Sequence, residues 1–213
     1  MTDRAYDRIK RAMDVAASAA GIVVTAPIQL ATAAAVWKFH GRPVLFRQPR
    51  PGKDSEMFEL VKFRTMRHPD ATHVTDAERL TPFGRFLRST SLDELPTLWN
   101  VLKGDMSMVG PRPLLVQYLE RYSTEQARRH EVRPGITGLA QVSGRNALDW
   151  ESRFALDVEY VDNRGLALDL SILWRTIASV VKRSGISEAG HVTMSEFMGS
   201  GKLTSGAEPR DGL

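Results

Sequence analysis

Two adjacent carboxylates, Asp93 and Glu94, lie in the segment 80–112 among the arginines Arg85, Arg88 and Arg112. A guanidinium group binds phosphate oxygens in pairs through its planar fork, which the point charge of lysine cannot do. An aspartate in such a setting can be a nucleophile that forms an acyl phosphate, while a neighbouring glutamate holds Mg²⁺ together with substrate phosphates. The grouping therefore indicates chemistry on a phosphate-bearing, metal-bound substrate.

A purely structural role for the same carboxylates is the alternative. Ser91 and Glu94 match the S-x-x-E capping box of a helix predicted over 91–102, and acidic residues in a first turn complement the helix dipole. Pro96 fits poorly inside a helix that begins at Leu92. The pair is therefore predicted either to cap a helix or to project from an irregular turn that leads into it.

Composition excludes several classes of site. The chain of 213 residues contains no cysteine, which rules out disulfides, thiol nucleophiles and cysteine-ligated zinc. Its five histidines lack metal-ligand spacing, and it has neither a Walker motif nor a G-x-G-x-x-G motif. The formal net charge of +4 is compatible with nucleic acid, an anionic lipid leaflet or a phosphorylated substrate, and does not choose among them.

An apolar segment, residues 12–37, is long enough to cross a hydrocarbon core of about 30 Å as a helix. Basic residues flank it on both sides, so the positive-inside tendency places both flanks in the cytoplasm. A helix that enters, breaks at Ala26-Pro27 and returns satisfies both flanks, with Ser18 or Thr25 bonding a freed carbonyl. This re-entrant helix-break-helix is the preferred interpretation, and a single span and a buried core helix are the alternatives.

The rest of the chain predicts an α+β fold, mainly helical, with short strands and surface amphipathic helices. Strands are predicted at 44–47 and 57–66, with Lys62 and Arg64 on one polar face of the second. Short helices are predicted over 81–88 and 91–102. Glycine and proline predict irregular loops at 103–113 and 133–146.

Three further helices are predicted. A polar helix lies within 111–130, and the other two carry the apolar faces Trp150, Phe154, Val158 and Val161, and Leu166, Leu170, Leu173, Ile177 and Val180. The second of these faces belongs either to the core or to a membrane surface. The whole divides into a re-entrant membrane anchor at 1–40, a catalytic domain at 41–199 and a disordered tail at 200–213.

Four motifs in this order resemble one known family. They are VKFRTMR, the segment 80–113, RPGITGLAQVSGRN and YVDNRGLALDLSILWRT. Through them the chain is similar, over residues 6–199, to the bacterial sugar transferases, the monotopic phosphoglycosyl transferases. The resemblance implies transfer of a sugar 1-phosphate from a UDP-sugar to undecaprenyl phosphate, with release of UMP. It also implies a location at the cytoplasmic face of the bacterial inner membrane and a role at the start of glycoconjugate or exopolysaccharide assembly.

The resemblance further implies roles for individual residues. Asp93 would be the nucleophile that attacks the sugar-linked phosphate, through a covalent aspartyl intermediate, and Glu94 the partner that holds Mg²⁺. Arg88 and Arg112 would bind phosphates. The remaining family positions are Lys62 for substrate phosphate, Arg145 for the nucleotide and Asp169 for structural support. Many relatives have Ser-Pro at the helix break where this chain has Ala26-Pro27, so the break rests here on Pro27.

The expected partners are a UDP-sugar, undecaprenyl phosphate and membrane lipid, with Mg²⁺ as cofactor, and a homodimer is left open. No nucleic acid partner is expected, since neither a recognition helix nor an aromatic and basic strand is evident. A non-catalytic membrane scaffold, in which Asp93 and Glu94 only cap a helix, is a third class and predicts no nucleotide turnover. The sequence does not identify the sugar.

Overall fold

The computed structural model describes residues 3–68, 75–144, 148–181 and 196–199. The predicted α+β, mainly helical class is confirmed within them, while the tail 200–213 lies outside the described residues. In chain order the elements are α1 (Asp3–His40), β1 (Leu45–Pro51), β2 (Met57–Phe63), α2 (Asp76–Arg79), α3 (Pro82–Ser89), α4 (Leu98–Lys103), β3 (Ser107–Val109), α5 (Thr124–Ala127), β4 (Gly135–Thr137), α6 (Leu139–Ser143), α7 (Trp150–Asn163) and α8 (Leu166–Val181).

The N-terminal apolar segment forms one helix, α1, which continues through Pro27. The segment is rich in alanine, the residue that favours helix most. The predicted interruption at Ala26-Pro27 does not divide α1 into two elements, so any change of direction there is a bend within one helix, as proline commonly causes.

The serine and threonine side chains near this point bond to carbonyls of earlier turns. Ser18 Oγ donates to the carbonyl of Asp14, and Thr25 Oγ1 to that of Gly21, each at 2.6 Å. The carbonyl that Pro27 deprives of a donor is the one four residues earlier, at position 23. The predicted rescue of that carbonyl by Ser18 or Thr25 is therefore wrong, because both hydroxyls are engaged elsewhere.

The two ends of α1 contact the same compact body. Near the N-terminus, Tyr6 Oη donates to Asp169 Oδ2 in α8 at 2.7 Å. Near the C-terminus, Val36 is fully buried in a cluster with Phe63 and Leu87. At about 1.5 Å per residue a straight helix of this length would measure about 57 Å. Because both of its ends contact the body, α1 runs along the body and does not project from it.

The middle of α1 is different, because its apolar side chains face solvent. Val23, Val24 and Leu30 are 73%, 75% and 73% exposed. In the part of the chain that the structure describes, α1 is the helix whose length and composition would allow a membrane crossing. A buried core helix, one of the alternatives from sequence, is inconsistent with this exposure.

Strands β1 and β2 form an antiparallel hairpin in which Phe46 pairs with Lys62 and Gln48 with Leu60. Strand β1 runs further than predicted, through Pro49, as edge strands permit. Side chains cover the outer edge of β2, where the described residues supply no third strand. Asn100 Oδ1 accepts from the Val61 amide at 3.1 Å, and Thr97 Oγ1 donates to the Val61 carbonyl at 3.0 Å. These bonds fix the segment 97–100, and the turn before it, against the hairpin.

Arg64 does not share the polar face of Lys62, as the sequence predicted, because β2 ends at Phe63. The buried Arg64 guanidinium instead donates to the backbone carbonyls of His40, Gly41 and Arg42, where α1 ends. A cation at this position complements the negative end of the helix dipole. Arg64 therefore joins the end of α1 to the hairpin.

The two glycine-rich segments that were predicted as irregular loops contain a parallel strand pair. Ser107 of β3 pairs with Gly135 of β4, and Val109 with Thr137. A Cβ atom on Gly135 would lie 2.1 Å from the Gly110 amide nitrogen, so only glycine allows the two backbones to approach this closely. Backbone hydrogen bonds from Gly110 to Thr137 and from Gly135 to Pro111 hold the residues that follow β3 against β4.

The polar helix predicted within 111–130 is wrong. This stretch consists of a 3-10 turn at Val116–Arg121, the short helix α5 and a second 3-10 turn at Arg128–Glu131. Ser123 and Gln126 form a reciprocal capping box, which starts a new helix after the chain has left the first turn.

Helices α7 and α8 differ in what their predicted apolar faces meet. Phe154, Val158 and Val161 of α7 are buried, as core residues. On α8, Leu170 and Ile177 are exposed, together with Trp174, while Ile172 and Asp169 point into the body. The periodicity of α8 is as predicted, and most of its apolar face lies on the surface.

Candidate active site

Asp93 and Glu94 lie on a 3-10 turn, Leu92–Thr97, that leads into α4. This is the irregular turn that Pro96 indicated. The predicted capping box is wrong: Ser91 has a left-handed backbone conformation, with φ of 56°, and its side chain makes no capping hydrogen bond. Glu94 is therefore free of a capping role.

Glu94 is held by two cations that arrive from different elements. Lys62 Nζ, on β2, and Arg112 Nη2, just after β3, donate to the same Oε1 atom at 2.6 and 2.8 Å. Burial opposes ionisation of Glu94, but the charges of Lys62 and Arg112 outweigh it and hold its pKa well below the usual range. Glu94 is thus a fixed carboxylate anion.

The pKa of Asp93 is shifted in the opposite direction. It is 8% exposed, and no residue of the described ranges donates a hydrogen bond to its carboxylate. Burial, followed by the neighbouring Glu94 charge, raises the pKa of Asp93 to about 6, against the opposing charges of Lys62, Arg88 and Arg112. Paired groups whose pKa values are pushed apart in this way are typical of catalytic carboxylates.

Arg88, on α3, lies where its charge acts on Asp93. Its Nε donates to Thr65 Oγ1 at 3.1 Å, and within the described ranges neither terminal nitrogen of the fork has a hydrogen-bond partner. Helix α3 can approach the strand end closely because Gly84 has no side chain: a Cβ there would lie 1.8 Å from the Thr65 carbonyl oxygen. Burial lowers the pKa of Arg88, although Asp93 opposes that shift.

The structure therefore brings five of the sequence-predicted residues into one electrostatic cluster: Lys62, Arg88, Asp93, Glu94 and Arg112. Pro27 is in the exposed part of α1, and Arg145 lies outside the described residues. Among the described residues no group of three or more histidine, aspartate or glutamate side chains is placed to hold a metal ion.

Asp169 is in a separate buried cluster. Its carboxylate accepts hydrogen bonds from Tyr6 Oη at 2.7 Å, Lys10 Nζ at 2.5 Å and Tyr160 Oη at 2.8 Å. These donors come from α1 and α7, so Asp169 fastens both helices to α8. Its contacts are those of a structural residue.

Arg50 is a site residue that the sequence did not single out. Its charge acts on Arg112, and burial followed by Arg112 lowers the pKa of Arg50 to about 10. Nη2 donates to Gln48 Oε1 at 2.6 Å, whereas the buried Nε has no hydrogen-bond partner among the described residues. Side chains alternate along β1, so positions 46, 48 and 50 lie on the same face of the hairpin as Lys62. A strand prediction that extended β1 to residue 51 would have placed Arg50 on this face.

Comparison with known proteins gives, for most of the chain, the family that the sequence motifs resemble. The sequence model of the bacterial sugar transferase family matches residues 5–183. The uncharacterized sugar transferase EpsL of Bacillus subtilis (strain 168) is 50% identical over 200 residues, which are 92% of this chain and 99% of that protein.

Two further relatives have names that state a reaction. UDP-glucose:undecaprenyl-phosphate glucose-1-phosphate transferase of Caulobacter vibrioides is 42% identical over 190 residues, which are 83% of this chain and 71% of the relative. Undecaprenyl-phosphate galactose phosphotransferase of Salmonella typhimurium is 37% identical over 197 residues, 83% of this chain and 41% of the relative. The chain thus spans nearly all of EpsL and less than half of the Salmonella protein. It belongs to the bacterial sugar transferases, a family of enzymes.

Proposed function

We propose that this protein transfers a sugar 1-phosphate from a UDP-sugar to undecaprenyl phosphate, through a covalent intermediate on Asp93. The observation that carries the proposal is the contrast within the carboxylate pair. Glu94 is fixed by two cations, whereas Asp93 is buried, accepts no hydrogen bond from the described residues and has a raised pKa. The names of the Caulobacter and Salmonella relatives supply the two substrates.

The reaction has two displacements at the sugar-linked phosphorus. In the first, a carboxylate oxygen of Asp93 forms a bond to that phosphorus, the bond from phosphorus to the bridging oxygen breaks, and UMP leaves with the bridging oxygen. In the second, a phosphate oxygen of undecaprenyl phosphate attacks the same phosphorus and the aspartyl oxygen leaves. Asp93 is regenerated, and the product is the undecaprenyl diphosphate sugar.

The cations around the pair have separate tasks in this proposal. Arg88 and Arg112 bind the donor diphosphate and offset the charge that builds on it, as fixed donors do in phosphoryl transfer. Lys62 holds Glu94 in place through the 2.6 Å ion pair. Arg50, which has no carboxylate within ion-pair distance in the described ranges, adds a phosphate contact next to Arg112. Arg145 is assigned to the nucleotide by family resemblance.

The donor set fits Mg²⁺ carried by the substrate. Mg²⁺ usually takes one or two protein carboxylates and completes its coordination with water and substrate phosphates. Both cations that bind Glu94 use Oε1, so within the described ranges Oε2 has no cation partner. Glu94 would hold the ion, which when bound would neutralise charge on the diphosphate.

The direct test is release of UMP by purified, detergent-solubilised protein. A panel of UDP-sugars is supplied with undecaprenyl phosphate and Mg²⁺, and UMP and the lipid product are quantified. Turnover with at least one donor is expected, and it identifies the sugar. A non-catalytic scaffold predicts no UMP from any donor, and that result would contradict the proposed function.

We also propose a monotopic, re-entrant location at the cytoplasmic face of the inner membrane. Tyr6 and Val36, at opposite ends of α1, contact the same body. A helix that crossed the membrane would put its two ends on opposite sides, and both contacts could not then be made to one body. The exposed apolar middle of α1 and the exposed face of α8 are what a helix entering one leaflet, and a helix lying on its surface, would present to lipid. Pro27 directs the return in this arrangement.

Topology mapping tests this location. Reporter tags at the N-terminus and after Gly199 are both expected to report cytoplasmic, because the basic flanks and the body lie on one side. Labelling of intact and permeabilised cells gives the measurement, with a known single-span protein as control. Tags on opposite sides of the membrane would establish a crossing and contradict the re-entrant arrangement.

The raised pKa of Asp93 predicts a pH dependence for the first displacement. Asp93 reacts as the anion, so single-turnover UMP release should fall about tenfold per pH unit below a pH of about 6, while Glu94 stays ionised. Undecaprenyl phosphate is omitted, because a phosphate monoester itself titrates near pH 6. A rate that is unchanged between about pH 5 and 7 would contradict a raised pKa for the reacting carboxylate.

A further inference from the structure

A buried ion pair, Arg129 with Asp157, contacts the backbone of the candidate active site. Arg129, on the 3-10 turn Arg128–Glu131, donates from Nε and Nη2 to Asp157 Oδ2 on α7, at 3.0 and 2.8 Å. Both side chains are almost completely buried, at 2% and 3% exposure. Burying two charges carries a desolvation cost that apolar residues of similar size avoid, so such a pair is weak evidence for stability alone.

The same arginine reaches the active-site backbone. Arg129 Nη2 also donates to the main-chain carbonyl of Arg112 at 2.7 Å. Arg112 lies beyond the end of β3, in a stretch without regular secondary structure. Its side chain binds Glu94, so a series of direct contacts runs from Asp157 through Arg129 and Arg112 to the carboxylate pair.

Aromatic neighbours hold the Arg129 guanidinium in one orientation. Its Cζ lies 5.7 Å from the centre of the Tyr122 ring and 5.6 Å from that of Phe154. Nη1 donates to Tyr122 Oη at 3.2 Å. With Asp157, the Arg112 carbonyl and Tyr122 as acceptors, all three nitrogens of Arg129 are engaged, and the planar fork fits this set in a way that lysine does not.

We propose that Arg129, oriented by Asp157, is a positioning residue that fixes the backbone at Arg112 and thereby places the Arg112 guanidinium on Glu94 and the donor diphosphate. Its effect on catalysis rests on the proposed function. The mechanical part, control of the Arg112 segment by Arg129, does not depend on which reaction the enzyme performs. The two parts therefore have separate tests.

The test compares Arg129→Lys with a neighbouring control, Arg128→Lys. Arg128 lies on the same turn and makes its ion pairs with Glu125, Glu131 and Asp162 at the protein surface. Each variant keeps its positive charge but loses the fork. Thermal unfolding in detergent identifies any variant that fails to fold. If Arg129→Lys does not fold, Asp157→Asn, which removes the orienting partner, serves as the test variant.

Hydrogen exchange measures the mechanical part without any substrate. Amides of peptides covering residues 110–115 are expected to exchange faster in Arg129→Lys than in wild type, and at the wild-type rate in Arg128→Lys. Unchanged exchange in a folded Arg129→Lys or Asp157→Asn protein would overturn the proposal, whatever the enzyme's activity.

Kinetics measure the catalytic part. The kcat/KM of UMP release is expected to fall between about tenfold and a hundredfold in Arg129→Lys, as for a misplacement of about 1 Å, and to stay unchanged in Arg128→Lys. In an Arg112→Lys background, Arg129→Lys should add little further loss, because it acts through Arg112. Losses that multiply would overturn the positioning role, whereas absence of UMP release by wild type would contradict the proposed function alone.

Discussion

Replacing Asp93 with asparagine is expected to abolish UMP release, with a loss on the order of 10⁴-fold or more, while the protein stays folded. The carboxylate accepts no hydrogen bond from the described residues, so an amide of the same shape removes no protein contact there. It also removes the charge of Asp93 itself, a carboxyl whose pKa is raised by burial and by the neighbouring Glu94 charge. Only the nucleophilic oxygen is lost, and nucleophile variants in other enzymes show losses of this size.

Intact-protein mass spectrometry checks this prediction at the first displacement. Wild type with UDP-sugar and Mg²⁺, without undecaprenyl phosphate, should release up to one equivalent of UMP and gain the mass of a sugar phosphate. Glu94→Gln is the matched control: it should be slower and less stable, because Lys62 and Arg112 lose a charged partner, and it should still form the adduct. An adduct of undiminished amount in Asp93→Asn would place the nucleophile elsewhere.

Replacing Gly84 with alanine is expected to destabilise the protein by about 2–3 kcal/mol and to reduce activity by about 10²-fold. Helix propensity alone predicts the opposite sign, a gain of about 1 kcal/mol. The added Cβ, however, would lie 1.8 Å from the Thr65 carbonyl oxygen, so α3 must move away from the strand end. Arg88, which donates to Thr65 Oγ1, would move with it.

The measurement is a melting temperature in detergent together with single-turnover UMP release. Gly165→Ala provides the control, because a Cβ at that position would have its nearest neighbour, the Asn163 carbonyl oxygen, at 3.9 Å. A Gly84→Ala protein with wild-type stability and rate would show that α3 does not need this close approach to position Arg88.

The sequence predicted local structure best where one residue type restricts the backbone regardless of its tertiary contacts. Pro96 indicated the irregular turn under Asp93 and Glu94, because proline disfavours a helix interior whatever surrounds it. The capping box failed at the same turn because the left-handed backbone at Ser91 prevents the required geometry, and a four-residue motif does not encode that backbone. Local rules therefore located the carboxylates and misassigned one of their bonds.

Contacts between distant residues were not predictable from spacing. The pair of Lys62 with Glu94 joins a strand to a turn 32 positions later, and depends on how Asn100 and Thr97 fix that turn against β2. Arg129 was assigned to a polar helix because its surroundings are hydrophilic in sequence, yet it is buried against Asp157. Periodicity likewise identified the apolar face of α8 without deciding whether that face belongs to the core or to a membrane surface.

The contact between Tyr6 and Asp169 has a consequence for the order of events during synthesis. The two residues are 163 positions apart, and ribosomes add about 5–20 residues per second, so α1 waits about 8–30 s for its partner in α8. The exposed apolar residues of α1 have no covering protein surface in the described structure either, so the arrival of α8 does not bury them. If lipid receives α1 first, as the proposed location requires, the nascent chain is tethered to the bilayer before its active site exists, and the catalytic body completes its folding at the surface where its lipid substrate resides.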